Sequence, residues 1–266
     1  MKKLSLAIES SCDDTSLALI QRDFDCIKDI IDFDRIKVIK SLISSQIELH
    51  RPYGGVVPEL GAREHAKNIH ILLDELLDND YSKLEKLDEI FVTTNPGLIS
   101  ALRVGIETAK SLQSIIQKRF NKEIKLIEVN HLNGHLYSCF YNQDNLDNIF
   151  PHLHLLVSGG HTRLLLLKSL SDIKILGNTL DDAAGECLDK AGRMLGLPHP
   201  GGVAISKIAG IDNKNLIDLP VGMSKTKDLK FSFSGLKTAI RYKVQAKNFQ
   251  NWRFEQKLEE VDLDKL

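Results

Sequence analysis

Short apolar segments with the spacing of strands alternate with longer segments that have the apolar spacing of helices. The first half of the chain predicts strands over 4–8, 15–20, 36–47, 89–94 and 124–129, and helices over 58–78 and 98–116. Such alternation is typical of α/β folds, in which helices cover a largely parallel sheet. The chain is therefore predicted to be an α/β protein.

Two similar hairpin patterns indicate two lobes. Residues 6–20 and 155–167 each read as a strand, a small polar turn and a second strand. We therefore expect two packed lobes, residues 1–130 and 131–266, whose hairpin turns face a shared ligand. Further elements predicted for the second lobe are helices over 181–195, after 201–202 and from 232–237 to Lys247, and a charged surface helix over 252–266.

Composition and charge restrict the partners and the location of the protein. Lys and Arg number 35 against 36 Asp and Glu, which gives a formal net charge of −1. A balanced charge indicates no nucleic-acid partner by itself, so contact with RNA would need a local basic patch. The four cysteines show neither a close pair nor a metal-knuckle spacing. With no leader segment and no apolar run of about 18 residues, we expect a cytoplasmic protein without a membrane segment.

His131 and His135 are four residues apart, a spacing that places two imidazoles on one face of a helix. One divalent ion can bind both rings, although a solvated helix face has the same pattern. Iron or zinc would need a third ligand, commonly a carboxylate, which the neighbouring sequence does not supply. Zinc proteases share the spacing, but Leu132 stands where their general base, a glutamate, is found. A peptidase is therefore disfavoured.

The turn Ser158-Gly159-Gly160 follows an apolar strand and is a candidate anion site. Successive glycines can direct backbone N–H groups at a phosphate and allow its close approach. A tight hairpin without any ligand also uses glycines, so the pattern alone leaves both interpretations open.

Acidic residues near both turns are candidates for ligand contacts. Asp13 and Asp14, in the first turn, can hold Mg²⁺ against phosphate oxygens, although aspartate is common in turns. Asp181 and Asp182 are expected at the start of a helix, where the helix dipole stabilises them. Asp189, two turns further along, can face a ligand hydroxyl.

A basic cluster late in the chain surrounds Phe231 and Phe233. It can bind an RNA backbone, but a solvated basic face is the simpler interpretation. Its members are Lys225, Lys227, Lys230, Lys237, Arg241 and Lys243.

Together and in this order, these segments resemble one family, the tRNA threonylcarbamoyladenosine transferases of the TsaD type, once described as O-sialoglycoprotein endopeptidases. The matching segments follow the family order from near the start of the chain to near Ile240. They are 8–15, 50–60, 96–98, 131–135, 156–162, 181–190, 200–202 and 231–238.

The resemblance implies an actin/Hsp70-like (ASKHA) fold of two α/β lobes, with the second lobe incomplete. It implies transfer of the threonylcarbamoyl group from threonylcarbamoyl-AMP to N6 of the adenosine 3′ of the anticodon. The substrates would be tRNAs that read codons beginning with adenosine. Implied partners besides tRNA are a TsaB-like paralogue, expected on the first lobe, and a TsaE-like ATPase.

The resemblance also implies roles for particular residues. His131 and His135 would bind Fe²⁺, with Zn²⁺ as the alternative ion. Asp13 and Asp14 would be catalytic residues near the phosphates, where Mg²⁺ is a further candidate. The acyl-adenylate would contact Leu156, Val157, Ser158, Gly159, Gly160, Asp189 and Gly202.

The chain departs from the family pattern near its end. The later segment that supplies a carboxylate metal ligand in the family does not occur before Leu266. We therefore expect a C-terminally truncated member with weak metal and nucleotide binding and little or no transferase activity from residues 1–266 alone. Two alternatives remain: an inactive member that serves as a partner-binding scaffold, and a disfavoured metallopeptidase.

Overall fold

The computed structural model describes residues 2–23, 36–141, 149–209 and 217–245. It confirms the predicted α/β class, since two sheets and a series of helices follow one another along the described chain. The predicted surface helix over 252–266 lies outside the described residues.

The first sheet has five strands in the order β3-β2-β1-β4-β5. They are β1 (Lys3–Glu9), β2 (Asp14–Arg22), β3 (Ile36–Ser45), β4 (Glu89–Asn95) and β5 (Lys125–Asn130). The predicted hairpin is confirmed, because β1 and β2 pair antiparallel, and β3 pairs antiparallel with β2. β4 and β5 run parallel to β1.

α-Helices follow the strands of the first sheet. They are α1 (Ile47–His50), α2 (Pro58–Leu76), α3 (Ile99–Phe120) and α4 (His131–Ser138). α2 and α3 lie at the predicted places, whereas α1 begins at Ile47, the last residue of a predicted strand. α2 and α3 bury apolar stripes in the same core as strand residues such as Leu6 and Ile90. Each fully buried aliphatic side chain contributes about 1.5–3 kcal/mol, so this core is the main source of stability in the first unit.

A buried histidine, His65, holds the turn between β1 and β2. The hydroxyl of Thr15 lies 2.7 Å from His65 Nδ1, and the carbonyl oxygen of Cys12 lies 3.0 Å from Nε2. Because a carbonyl can only accept, Nε2 carries the proton and Nδ1 accepts from Thr15. α2 therefore buries the polar His65, whereas the neighbouring apolar Ala66 is exposed.

The second sheet has the order β6-β7-β8, and three helices follow it. The elements are β6 (His152–Val157), β7 (Thr162–Leu167), β8 (Ile173–Asn178), α5 (Ala184–Leu195), α6 (Gly201–Ile208) and α7 (Ser234–Gln245). Gly196 follows the last residue of α5, and its φ of 76° is the left-handed conformation that favours glycine after a helix.

The chain divides into two compact units. The first unit contains residues 1–154 and 166–174, and the second contains 155–165 and 175–266. The predicted lobes, 1–130 and 131–266, remain predictions. Among the helices of the described residues, none combines the length and the apolar character that crossing a bilayer requires.

Candidate functional site

Three parallel strand ends bring together residues that are far apart in sequence. Glu9 is the last residue of β1, Thr93 lies near the end of β4, and His131 follows β5 directly. Because β1, β4 and β5 are neighbours with the same direction, their carboxyl ends meet at one edge of the first sheet. This edge carries the predicted metal ligands.

His131 and His135 occupy one face of α4, as their spacing predicts. Their Nε2 atoms lie 3.0 Å apart, and the rings meet edge to face at a centroid distance of 4.4 Å. Asn130 begins the helix, because its side-chain oxygen accepts the N–H groups of Leu132 at 2.9 Å and Asn133 at 3.3 Å. The cap fixes the first turn of α4, which carries His131.

Glu9 orients the ring of His131. Its Oε2 atom lies 3.3 Å from His131 Nδ1 and accepts the hydroxyl proton of Thr93 at 2.6 Å, and Oε1 accepts the N–H of Ser11. Burial alone would raise the pKa of Glu9, but the hydrogen bonds it accepts, from His131 first, lower the pKa to about 2. An ionised carboxylate needs a donor, so Nδ1 of His131 carries the proton and Nε2 keeps its lone pair.

The turn after β1 is held against the start of α3. The carbonyl oxygen of Ser11 accepts the N–H of Leu98 at 2.8 Å, and the Ser11 hydroxyl lies 3.0 Å from His131 Nδ1. A Cβ at Gly97 would lie 2.6 Å from that carbonyl oxygen, so only glycine allows this approach. The contacts fix the turn beside the imidazole.

The two histidines fit a metal ion. Two imidazole nitrogens that each lie about 2.0–2.1 Å from one ion are about 2.9–3.4 Å apart at octahedral to tetrahedral angles. The observed distance of 3.0 Å between the Nε2 atoms is within this range. A metal-binding histidine usually donates its other N–H to a carboxylate or carbonyl, as His131 does to Glu9. Desolvation lowers the pKa of His135, which favours its neutral form. The metal itself remains a prediction.

Asp13 and Asp14, the predicted catalytic residues, lie in the turn between β1 and β2. Asp13 is half-buried and its carbonyl accepts the N–H of Gln46 at 2.9 Å, whereas Asp14 is exposed and begins β2. Desolvation and these two aspartates raise the pKa of the Cys12 thiol to about 12. The thiol therefore stays protonated at neutral pH, and the role of the aspartates remains a prediction.

The predicted anion loop in the second unit is the turn from Ser158 to His161, between β6 and β7. The Ser158 N–H donates to the His161 carbonyl at 2.8 Å, and the His161 N–H donates to the Ser158 hydroxyl at 3.1 Å. Gly159 and Gly160 are exposed, and their N–H groups have no acceptor among the described residues. A Cβ at either glycine would meet no atom within 4 Å. The packing of the chain therefore does not require these glycines, and both amides can bind an anion.

α5 begins against this turn. The N–H of Gly185 donates to the Ser158 carbonyl at 3.2 Å, and the N–H of Ala184 donates to the Thr162 hydroxyl at 2.9 Å. A Cβ at Gly185 would lie 2.6 Å from the Ser158 carbonyl oxygen, so a glycine is required at this position. Because the first two N–H groups of α5 are bonded within the chain, the candidate anion site is the turn and not the helix N-terminus.

Leu156 and Val157, also predicted to contact the adenylate, precede the turn on β6. Leu156 exposes 5% of its surface and Val157 exposes 53%. Leu156 therefore serves mainly in packing, whereas Val157 offers an exposed apolar side chain beside the turn.

Asp189 and Gly202, both predicted to contact substrate, lie together. Oδ1 of Asp189 accepts the Gly202 N–H at 3.3 Å, and Oδ2 lies 3.9 Å from His199 Nδ1. A Cβ at Gly201 would lie 2.8 Å from Asp189 Cα, so the approach of α6 to α5 requires glycine there. Asp189 thus caps the start of α6, and its contact with a ligand remains a prediction.

The expectation that Asp181 and Asp182 begin a helix is wrong, since α5 starts at Ala184. Asp181 binds the start of α7 instead. Its carboxylate accepts the N–H of Phe233 at 2.7 Å and the hydroxyl of Ser234, 53 residues further along, at 2.7 Å. A carboxylate in this position satisfies N–H groups that a helix start leaves unpaired.

We expect the substitution Asp181→Ala to destabilise the second unit by about 1 kcal/mol, the usual loss for a helix cap. Burial opposes the charge of Asp181, but hydrogen bonds from the start of α7 outweigh it and lower the pKa from 3.8 to about 2. A lowered carboxyl pKa stabilises the fold above pH 3.8, and this contribution disappears as the pH falls through about 2.

Urea unfolding should therefore give a lower midpoint for Asp181→Ala than for the unsubstituted chain near neutral pH. The two midpoints should converge in acid. The matched control is Asp172→Ala, which removes an exposed carboxylate that lies 3.9 Å from Lys168. A difference for Asp181→Ala that does not change with pH would contradict this explanation.

The basic cluster is partly paired within the second unit. Lys237 forms an ion pair with Asp182, which also lies 3.0 Å from Lys190, and Lys230 lies 3.6 Å from Asp228. These contacts favour a structural role for Lys237 and Lys230. A contact of the cluster with RNA remains a prediction.

The predicted site residues do not include Glu9, Ser11 and Thr93. Glu9 and Ser11 belong to a segment that resembles the family, and their place at the end of the first strand was an available signal. Thr93 carries no such signal, because only the parallel pairing of β4 with β1 brings it to Glu9.

Comparison with known proteins gives a family for the chain. A family model described as tRNA N6-adenosine threonylcarbamoyltransferase (TsaD) matches residues 37–263. Proteins of that name from Carboxydothermus hydrogenoformans and Anaeromyxobacter sp. are 44% and 43% identical over 241 and 240 residues. The alignments cover 91% and 90% of this chain but 66% of each relative, so the chain spans just under two thirds of their length.

Two solved structures are distantly similar to the chain. YeaZ from Pseudomonas aeruginosa matches with a TM-score of 0.38 and 15% identity, over 65% of this chain and 64% of that one. An exopolyphosphatase from Cytophaga hutchinsonii matches with a TM-score of 0.33 and 15% identity, over 83% and 65%. Neither similarity is close enough to support a conclusion about function.

Proposed function

Because the chain belongs to the tRNA N6-adenosine threonylcarbamoyltransferase family, we propose that it transfers threonylcarbamoyl from threonylcarbamoyl-AMP to a tRNA adenosine. The acceptor is N6 of the adenosine 3′ of the anticodon, in tRNAs that read codons beginning with adenosine. The observation that carries the proposal is the distance of 3.0 Å between Nε2 of His131 and Nε2 of His135, together with the contact by which Glu9 orients the His131 ring. Such a pair suits a metal ion in a family that modifies a nucleobase.

The transfer forms a bond between N6 and the carbamoyl carbon and breaks the bond from that carbon to the phosphate oxygen, releasing AMP, while one proton of N6 passes to solvent. Fe²⁺ or Zn²⁺ bound by His131 and His135 would supply Lewis-acid polarisation of the carbamoyl carbonyl. Glu9 keeps the proton on Nδ1 of His131 and so keeps Nε2 available. The exposed amides of Gly159 and Gly160 bind the phosphate of the adenylate and stabilise AMP as it leaves.

Further proposals concern the surroundings of the reaction. Asp13 and Asp14 act near the phosphates, where Mg²⁺ is their candidate partner. A TsaB-like paralogue binds the first lobe, a TsaE-like ATPase completes the complex, and the reaction takes place in the cytoplasm. Family membership supports each of these assignments.

A single-turnover assay tests the function. The full chain, in excess over threonylcarbamoyl-AMP and a tRNA with adenosine 3′ of the anticodon, is supplied with the TsaB-like and TsaE-like partners, and the modified nucleoside is quantified. We expect a slow but measurable transfer that His131→Ala lowers at least about 100-fold, because several kcal/mol of transition-state stabilisation is lost. The exposed histidine of α2 provides the matched control, His70→Ala, which should leave the rate unchanged.

Three outcomes would overturn the proposal. Binding of the TsaB-like partner without any transfer would support the scaffold alternative. A peptidase activity that His131→Ala abolishes would support the metallopeptidase alternative. A transfer rate that does not change in His131→Ala would exclude the histidine pair from the reaction.

A further inference from the structure

A cysteine and two histidines of the first unit converge outside the site described above. Cys139 follows the last residue of α4, and His152 and His154 are two residues apart on the edge strand β6. Because alternate residues of a strand face the same side, both imidazoles lie on one face of β6. The thiol sulfur and one nitrogen of each ring all lie within 4.8 Å of one another.

The distances fit a tetrahedral ion. A zinc ion with a sulfur ligand at about 2.3 Å and a nitrogen ligand at about 2.0–2.1 Å places these two atoms about 3.6 Å apart. The Sγ atom of Cys139 lies 3.7 Å from Nδ1 of His154. The His152 and His154 ring centroids are 5.9 Å apart, so the second ring needs only a small movement to complete the set.

Neighbouring side chains hold the three ligands in place. The Phe140 ring, with 2% of its surface exposed, meets the His152 ring edge to face at 5.4 Å. The Phe150 ring also packs against Phe140, at a centroid distance of 6.0 Å. The Cys139 thiol also donates to the carbonyl of Leu136 at 3.2 Å, inside the last turn of α4. The cluster is therefore positioned by a buried aromatic side chain and not by exposed side chains alone.

We propose that Cys139, His152 and His154 form a second metal site, which takes Zn²⁺ or a similar borderline-soft divalent ion. One thiolate and two imidazoles are ligands that such ions prefer over the oxygen ligands suited to Mg²⁺ or Ca²⁺. Binding replaces the thiol proton of Cys139 by the ion, and the proton passes to solvent. Water occupies the fourth position, and the ion links the end of α4 to β6.

This site goes beyond the proposed transferase function and does not depend on it. It shares no ligand with the pair His131 and His135, and that pair contains no sulfur. A probe that reports sulfur coordination therefore distinguishes the two sites. The alternative interpretation is a thiol–imidazole hydrogen bond between Cys139 and His154 that involves no ion.

Cobalt is such a probe, because a thiolate bound to Co²⁺ gives a near-ultraviolet charge-transfer band. In a full chain that carries His131→Ala and His135→Ala, we expect one Co²⁺ per chain and this band. Adding Cys139→Ser should abolish the band, and adding His154→Ala should weaken binding at least about 100-fold, more than the loss of an outer-sphere partner causes. Cys12→Ser and His70→Ala are the matched controls, and they should change neither the charge-transfer band nor the affinity for Co²⁺.

A measurement on the unsubstituted chain avoids any failure of a variant to fold. Cys139 is exposed, so an alkylating reagent reaches its sulfur. Zn²⁺ should slow alkylation of Cys139 at least about tenfold, since a bound thiolate is shielded. Equal alkylation of Cys139 with and without Zn²⁺, or a cobalt band that survives in Cys139→Ser, would overturn the proposal.

Discussion

Replacing His135 by alanine is expected to lower the affinity for Fe²⁺ at least about 100-fold, because one of two converging imidazoles is lost. His131 alone is a single ligand, and one imidazole holds a divalent ion weakly. Anaerobic equilibrium dialysis of the full chain measures the effect. A Cys139→Ser background keeps the thiolate cluster from contributing.

A second substitution tests how the pair is positioned. Glu9→Gln keeps the shape of the side chain but removes the charge that accepts from Nδ1 of His131. We expect the affinity for Fe²⁺ to fall about 10- to 100-fold, the usual effect of removing an outer-sphere carboxylate. His70→Ala, which removes an exposed imidazole far from both residues in sequence, is the control. Unchanged affinity in His135→Ala would contradict the assignment of the ligands.

Two glycines beside the anion loop should respond to the same substitution in opposite ways. Gly185→Ala would place a Cβ 2.6 Å from the Ser158 carbonyl oxygen, where backbone must move. Overpacking of this kind costs about 1–3 kcal/mol, which in a chain of this size lowers the melting temperature by several degrees. Differential scanning calorimetry of the variant and the unsubstituted chain measures the shift.

Gly160→Ala should leave stability unchanged but weaken binding. Its Cβ would meet no protein atom within 4 Å, and Gly160 does not have a positive φ, so alanine fits the fold. The same Cβ occupies the space through which a phosphate approaches the amides of the turn. We expect about a tenfold loss of AMP affinity, equivalent to about 1.4 kcal/mol.

The comparison between the two variants decides the role of the turn. Isothermal titration with AMP and calorimetry on the same samples separate binding from stability. A Gly160→Ala chain that melts like Gly185→Ala would show that Gly160 serves packing. A Gly160→Ala chain that binds AMP like the unsubstituted protein would show that the turn does not contact the phosphate.

Most elements of the fold can be predicted from the sequence, because their signals are local. The helix over 58–78 appears as α2 (Pro58–Leu76), since an apolar stripe and an N-terminal proline mark it. The strand predicted over 89–94 appears as β4 (Glu89–Asn95), since a short apolar segment marks it. The error at the start of α5 is also local: Asp181 has the residue type of a helix cap, but it caps another helix.

The candidate site was predicted only where its parts are close in sequence. His131 and His135 are four residues apart, and helical geometry alone brings their rings together. Glu9 lies 122 residues from His131, and nothing in the spacing indicates that contact. Cys139 and His154 are 15 residues apart on different elements, so their proximity depends on how α4 and β6 pack.

The position of the ion at the edge of the first sheet can be measured directly. Crystals of the full chain grown with Fe²⁺ or Zn²⁺ would be measured at the absorption edge of the metal. We expect an anomalous peak about 2.0–2.2 Å from Nε2 of both His131 and His135, with Glu9 still bonded to Nδ1 of His131. Imidazoles that remain bonded only to each other at saturating metal would show that the pair does not bind the ion.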